Sequence, residues 1–213
     1  FTDKGEYVVT ATITNKNYNE LVLTAKLTIT TNELTVIYSG NSGTYNGEAQ
    51  GFELSTSNIS DGMKALISVK YVGDNYESTD KPVNAGTYKI VVSSSNTDNV
   101  VIVNPEKEFT IAPKTISFIG LEQQTYTYTA QAVEYVLTPS GIIGNDNVGF
   151  EVTYNGQPQA INKGTYTVAI VGLTGEDKGN YTIASDLTAV MKINPYTINV
   201  VADAKSIVYG DAD

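Results

Sequence analysis

Carboxylate pairs are the residues of this sequence whose type and spacing come closest to acid–base chemistry. Glu106 and Glu108, like Asp211 and Asp213, stand two residues apart, so on a strand each pair would share one face. The chain has no His and no Cys, which removes the usual general base, the usual nucleophile partners and thiolate metal sites. Carboxylates on an open strand face are generally solvated, and we predict that the protein is not an enzyme.

Two loops collect oxygen ligands of the kind that calcium prefers. "GNDNVG" at residues 144–149 contains Asp146, and "GEDKGN" at 175–180 contains Glu176 and Asp177. Neither loop has the ligand spacing of an EF-hand. We therefore expect polar turns and no cofactor, with calcium at Asp146, Glu176 and Asp177 as the one alternative.

Composition favours an all-β protein and excludes two classes of partner. Tyr, Val, Ile and Thr are abundant, and Gly, Asn, Asp and Ser interrupt the chain at short intervals. The formal charge is −10, Arg is absent and the Lys residues are scattered, so we expect no nucleic-acid partner. No apolar run approaches the length of a transmembrane helix, so we expect no membrane span in this sequence.

The sequence repeats itself with a period of about 81 residues. An Asp/Asn-x-Gly-x-Tyr motif ends at Tyr7, Tyr88 and Tyr166. An Asn that precedes an apolar or aromatic residue recurs at Asn17, Asn99 and Asn180. "TYNGEAQ" at 44–50 resembles "TYTYTAQ" at 125–131, and Pro113 and Pro195 are 82 residues apart. These markers keep one order, which predicts a partial copy at 1–31, whole copies at 32–112 and 113–194, and the start of another at 195–213.

The Asp/Asn-x-Gly-x-Tyr motif is typical of a tyrosine corner, in which the hydroxyl bonds back to the backbone at the start of a strand. Gly allows the tight approach and Asp or Asn bonds the local backbone. We therefore predict structural tyrosine corners at Tyr7, Tyr88 and Tyr166, in preference to a repeated tyrosine binding platform. Tyr76 and Tyr135 lie outside the repeat markers, and we keep them as candidate glycan contacts.

Each whole copy divides into six or seven short apolar runs in about 80 residues, as in an immunoglobulin-like β-sandwich. Neighbouring copies are joined by only two or three residues, "TTN", "APK" and "NPY", and Pro restricts two of these joins. We expect the copies to be arranged end to end as an elongated rod, each contacting its neighbouring repeats.

Several of these segments resemble a family. "YTINVVADAKSIVYGDAD" at 196–213 is similar to the opening of the YGX-type MBG repeats of bacterial cell-surface proteins. "TYNGEAQ" with "NAGTYKI" at 84–90 resembles the related YDG-type repeats, with Asn46 in place of the Asp. "GNYTI" at 179–183 and "FTIAPKTI" at 109–116 fit the closing strand and join. The second copy departs, because "TYTYTAQ" has no Gly after its Tyr and predicts a differently built turn.

The resemblance implies long tandem arrays on exported adhesins, at the bacterial cell surface or secreted, and supplies no catalytic residue. We expect a non-catalytic stalk that projects a distal functional domain. The alternatives are an adhesive module that binds glycan or a host surface protein directly, and a spacer attached to a secreted polysaccharide-degrading enzyme.

Residues 1–31 supply only the closing strands of a copy, and 195–213 only an opening strand. Val9 and Ile13 would then lack the sheet that covers them in a whole copy. We therefore expect the sequence to be a window on a longer polypeptide, with these strands covered by residues outside it or by neighbouring chains.

Overall fold

A computed structural model of the chain describes residues 2–40, 42–57 and 59–210. The carboxylate pair Asp211 and Asp213 lies outside the described residues. Helical structure in the described part is limited to one turn, α1 (Asp61–Lys64), and a 3₁₀ turn at Lys178–Asn180. The remaining elements are strands, which confirms the predicted all-β class. In the same residues no helix has the length and apolar character that crossing a membrane would require.

The strands are, in chain order, β1 (Gly5–Asn15), β2 (Tyr18–Ile29), β3 (Asn32–Leu34), β4 (Ile37–Ser39), β5 (Glu53–Ser55), β6 (Ile67–Gly73), β7 (Tyr76–Ser78), β8 (Gly86–Ser94), β9 (Val100–Ile102), β10 (Glu106–Ile111), β11 (Lys114–Ile119), β12 (Gln124–Thr127), β13 (Thr138–Ser140), β14 (Gly149–Tyr154), β15 (Gly164–Thr174), β16 (Tyr181–Ile183) and β17 (Thr188–Asn194). By its contacts the chain divides into two compact units, Phe1–Lys114 with Gly179–Thr182, and Thr115–Lys178 with Ile183–Asp213.

The first unit is built on a four-stranded antiparallel sheet in the order β10-β8-β6-β7. Burial alternates along β8, where Tyr88, Ile90 and Val92 are buried and the residues between them are only partly buried. Tyr88 stacks on Phe109 of β10, with ring centroids 5.7 Å apart. A second cluster lies beneath the short parallel pair β3–β9 and contains Leu34, Val36, Ile59, Val92 and Val100. Apolar burial on one face of β8 therefore holds this sheet to the rest of the unit.

Residues 48–54 form little strand, although their apolar content suggests one, because local turns occupy most of them. The Asn46 side chain accepts a hydrogen bond from the Glu48 N–H, at 2.9 Å, and Gln50 Nε2 donates to the Thr44 carbonyl, at 3.0 Å. Gly47 and Gly51 have φ of 80° and 138°, which a strand does not use. Only Glu53–Ser55 continues as β5.

The second unit repeats the arrangement around its own motif strand. Its main sheet has the order β12-β17-β15-β14, with β15 between β17 and β14 as β8 lies between β10 and β6. Its core comprises Tyr135, Tyr154, Ala160, Val168, Ala189, Met191 and Ile193. Separately, β11 pairs with β13 in antiparallel register.

β1 and β2 form a long two-stranded hairpin in continuous antiparallel register over most of its length. Its apolar side chains are largely exposed, including Val9 at 42% and Ile13 at 54%. What covers these faces stays a prediction.

Candidate functional site

All three motif tyrosines make the same hydrogen bond. The hydroxyl donates to the backbone carbonyl of the Asp or Asn four residues earlier: Tyr7 to Asp3 at 2.8 Å, Tyr88 to Asn84 at 2.9 Å and Tyr166 to Asn162 at 2.8 Å. Each bond closes the chain just before a long strand, β1, β8 or β15. This is the hydrogen bond that characterises a tyrosine corner.

The motif glycine makes room for the tyrosine ring. A Cβ added at Gly86 would lie 3.0 Å from Tyr88 Oη, and one added at Gly5 would lie 3.2 Å from Tyr7 Oη. Neither glycine has positive φ, so close approach of the ring explains the residue type better than a left-handed backbone. Tyr88 is 7% exposed, and its burial, with Tyr76 nearby, raises its pKa above the ordinary value.

In the first unit, two of the three Asn markers, Asn99 and Asn180, are each hydrogen-bonded to one copy of the Asp/Asn-x-Gly-x-Tyr motif. Asn180 Oδ1 accepts from the Ala85 N–H at 2.8 Å, and its Nδ2 donates to Asn84 Oδ1 at 3.2 Å. Asn180 is 5% exposed. Its side-chain amide therefore replaces water at a backbone donor and a side-chain acceptor of the motif.

Asn99 makes the same pair of bonds with the first motif. Its Oδ1 accepts from the Lys4 N–H at 2.6 Å and its Nδ2 donates to Asp3 Oδ1 at 2.9 Å. In both cases the backbone partner lies 95 residues before the Asn and the side-chain partner 96 residues before it. We call this two-bond arrangement the asparagine clamp. In the sequence, Asn99 and Asn180 were only repeat markers. Each follows the first residue of a motif by the same number of residues, and this shared spacing was the signal that could have predicted the contact.

A tyrosine pair accompanies the clamp at Asn180. The rings of Tyr45 and Tyr181 meet edge to face, with centroids 5.4 Å apart, and both side chains are 5% exposed. Because Tyr181 follows Asn180 directly, the amide and the aromatic ring contact the rest of the first unit together.

The strand ladder corrects the register of the "TYNGEAQ" and "TYTYTAQ" segments. Thr44 bridges Ala112, whereas Thr127 is the partner of Asn194, the residue 82 positions after Ala112. The structural counterpart of Tyr45 is therefore Tyr128, not Tyr126. Ala130 has φ of 62° where Gly47 has 80°, so the turn of the second copy keeps its left-handed residue without keeping the glycine.

Two hydrogen bonds join the two loops with oxygen ligands, and both are made to the backbone of Asn147. Asp177 Oδ2 accepts from the Asn147 N–H at 2.8 Å, and the Asp177 N–H donates to the Asn147 carbonyl at 3.2 Å. Within residues 2–40, 42–57 and 59–210, no three Asp or Glu side chains converge as a metal site would require. Asp146, Glu176 and Asp177 thus lie in polar turns that bond to each other.

The two candidate glycan contacts have structural partners. Tyr135 is 5% exposed, and its hydroxyl donates to the Glu122 carbonyl. This burial leaves little of the Tyr135 ring open for stacking on a sugar, and a glycan contact there stays a prediction. Tyr76 is partly exposed; its hydroxyl donates to the Asp80 carbonyl at 2.7 Å and its ring lies edge-on to Tyr88, 5.7 Å away.

The carboxylates of Glu106 and Glu108 are exposed on β10. Glu106 pairs with Lys89 of the neighbouring strand, at 2.8 Å. An exposed ion pair of this kind is worth little energetically and is common on strand surfaces.

Comparison with known proteins finds no matching family model, no matching curated protein and no matching solved structure.

Proposed function

We propose that this protein is a non-catalytic stalk, built from tandem immunoglobulin-like β-sandwich repeats of about 81 residues arranged end to end as a rod. It would project a distal functional domain from a bacterial cell surface. The bacterial and extracellular parts of the proposal rest on the resemblance of its motifs to MBG and YDG-type repeats.

The asparagine clamp is the observation that carries the proposal. It joins residues 95 and 96 positions apart, which is more than one sequence period. Each clamp therefore ties the tyrosine corner of one copy to the Asn of the copy that follows. The same two side-chain hydrogen bonds, repeated at the same spacing, support a tandem array of one repeated unit.

The tyrosines support a structural role more than a binding role. The three motif hydroxyls, and those of Tyr76 and Tyr135, donate to backbone carbonyls. A sugar-binding site needs aromatic faces and convergent polar groups that remain open to ligand. The motif tyrosines instead form hydrogen bonds at the starts of strands, and the Tyr88 ring packs in the core.

A glycan and host-protein binding array with the full chain tests the stalk against the adhesive module. The stalk predicts no reproducible binding above that of a Tyr88→Ala variant, which loses a core ring. Sub-millimolar binding of one glycan or protein class, lost on substitution of the partly exposed Tyr76 but kept in Tyr76→Phe, would overturn the pure stalk.

A further inference from the structure

A groove on the second unit is lined in part by the counterparts of the residues that form the clamp position of the first. Tyr128, Asn162, Lys163, Pro195, Tyr196 and Ile198 line an open groove of ≈ 620 Å³. Its outer wall is apolar and open to solvent, since Tyr196 is 66% and Ile198 is 73% exposed. We call it the Tyr128 groove. An exposed apolar groove with polar groups at one end is typical of a docking surface.

The corresponding position of the first unit is filled. There Tyr45 packs against the Tyr181 ring, and Asn84 and Ala85 bond the Asn180 amide. As a result, Tyr45 and Asn180 are both buried. The contact thus has an apolar part and a polar part, supplied by two consecutive residues of one segment.

Three residues of the Tyr128 groove are the counterparts of that filled position. The strand ladder matches Tyr128 to Tyr45. The tyrosine corner matches Asn162 to Asn84 and Lys163 to Ala85, because Tyr166 bonds the Asn162 carbonyl as Tyr88 bonds that of Asn84. In the part of the chain that the structure describes, no Asn side chain is bonded to Asn162 Oδ1 or to the Lys163 N–H.

We infer that the Tyr128 groove binds the Asn-aromatic segment of a further copy of the repeat, equivalent to Gly179–Thr182. The incoming Asn Oδ1 accepts from the Lys163 N–H and its Nδ2 donates to Asn162 Oδ1. The aromatic side chain that follows packs its ring edge on Tyr128. The inference rests on the proposed tandem array, and the first unit, where the same clamp occurs twice, identifies the occupant.

Amide hydrogen exchange at Lys163 tests the inference, with Ala85 as the internal reference. In the full chain, the Ala85 amide is expected to be protected and the Lys163 amide to exchange freely. A second protein repeats residues 132–213 after Asp213, which adds one copy in register because Asp213 lies 82 residues beyond Gln131. In it the Lys163 amide should exchange at least tenfold more slowly.

Two variants of the extended protein separate the clamp from general burial. Replacing the added copy of Asn180 by Ala should restore fast exchange at Lys163, and Tyr128→Ala should reduce its protection. Replacing the added copy of Lys178 by Ala is the matched control and should leave the protection of the Lys163 amide unchanged. Ala85 should stay protected in all three, which reports that the first unit remains folded.

Three results would overturn the inference. The first is fast exchange at Lys163 in the extended protein while Ala85 is protected. The second is full protection of Lys163 in the unextended monomer. The third is protection of Lys163 that grows with the concentration of the unextended chain, which would mean that a second molecule binds the groove. If the scattering profile of the extended protein is elongated but Lys163 is unprotected, the inference about the groove fails and the proposed stalk stands. A compact profile would refute the stalk.

Discussion

Replacing Asn180 by Ala removes one asparagine clamp without deleting a large side chain. Asn180 is 5% exposed and lies at the end of a short 3₁₀ turn. The substitution removes the bond from the Ala85 N–H and the bond to Asn84 Oδ1. The neighbouring Tyr181 and its contact with Tyr45 remain, so the change isolates the polar half of the contact.

The expected loss follows from the two bonds and their burial. Each hydrogen bond contributes about 0.5–1.5 kcal/mol net, and a buried donor left without an acceptor costs about 1–3 kcal/mol. The Asn84 side chain can turn toward water, whereas the Ala85 N–H is fixed in the backbone. We therefore expect a loss of about 2–3 kcal/mol in the free energy that protects the first unit.

Two measurements check this value. Urea denaturation followed by Tyr emission reports global stability, since the chain has 15 Tyr and no Trp. Exchange of the Ala85 amide reports the local loss, which at about 2 kcal/mol is roughly a thirtyfold faster rate. The local measurement is needed because a chain with two units need not unfold in one transition.

Asn17→Ala is the matched control. Asn17 is the Asn marker of the first partial copy and is exposed in the β1–β2 turn, where its backbone N–H bonds the Asn15 side chain. We expect a change within about 0.5 kcal/mol. If Asn180→Ala were as mild as Asn17→Ala, and Ala85 exchange were unchanged, the clamp would not be an energetic joint.

Three further predictions concern the corners, the turn of the second copy and pH. Tyr88→Phe should cost about 0.5–1.5 kcal/mol through its hydrogen bond, and Tyr88→Ala about 3–5 kcal/mol through the cavity; equally small losses in urea would place the ring at the surface. Ala130→Gly should stabilise the second unit by about 0.5–1 kcal/mol, because Ala130 has φ of 62°; a loss in urea midpoint would contradict the left-handed backbone. Burial raises the folded-state pKa of four tyrosines above the ordinary value of 10.0: Tyr38, Tyr71, Tyr88 and Tyr135. Their contribution to the free energy of unfolding is therefore complete below pH 10 and is lost as the pH rises through the raised pKa values. Urea midpoints and phenolate absorbance between about pH 8 and pH 12 check this, and titration of every Tyr at its ordinary pKa would contradict it.

Local patterns predicted local structure well. The tyrosine corner lies within five residues, so Asp/Asn-x-Gly-x-Tyr contains both ends of the hydrogen bond, and the hydroxyl of each motif tyrosine meets the expected carbonyl. The sequence also alternates after Tyr88, and Tyr88, Ile90 and Val92 form the buried face of β8. Both features depend on backbone geometry that neighbouring residues determine.

Features that depend on distant partners were missed or misplaced. Asn180 finds its partners 95 and 96 residues away, and only the shared spacing with Asn99 hinted at them. The second copy was aligned on Tyr126 by its letters, although pairing of β12 with β17 makes Tyr128 the counterpart of Tyr45. The burial of Tyr135, kept as a candidate glycan contact, could not be predicted, because a tyrosine outside a repeat marker carries no sign of its burial.

Small-angle X-ray scattering from the full chain tests the stalk most directly. A compact chain of 213 residues would have a radius of gyration of about 17 Å. Copies clamped end to end predict a value well above this and a profile that does not change with concentration. A radius of gyration close to about 17 Å would mean that the copies fold back on each other, and the stalk would be contradicted.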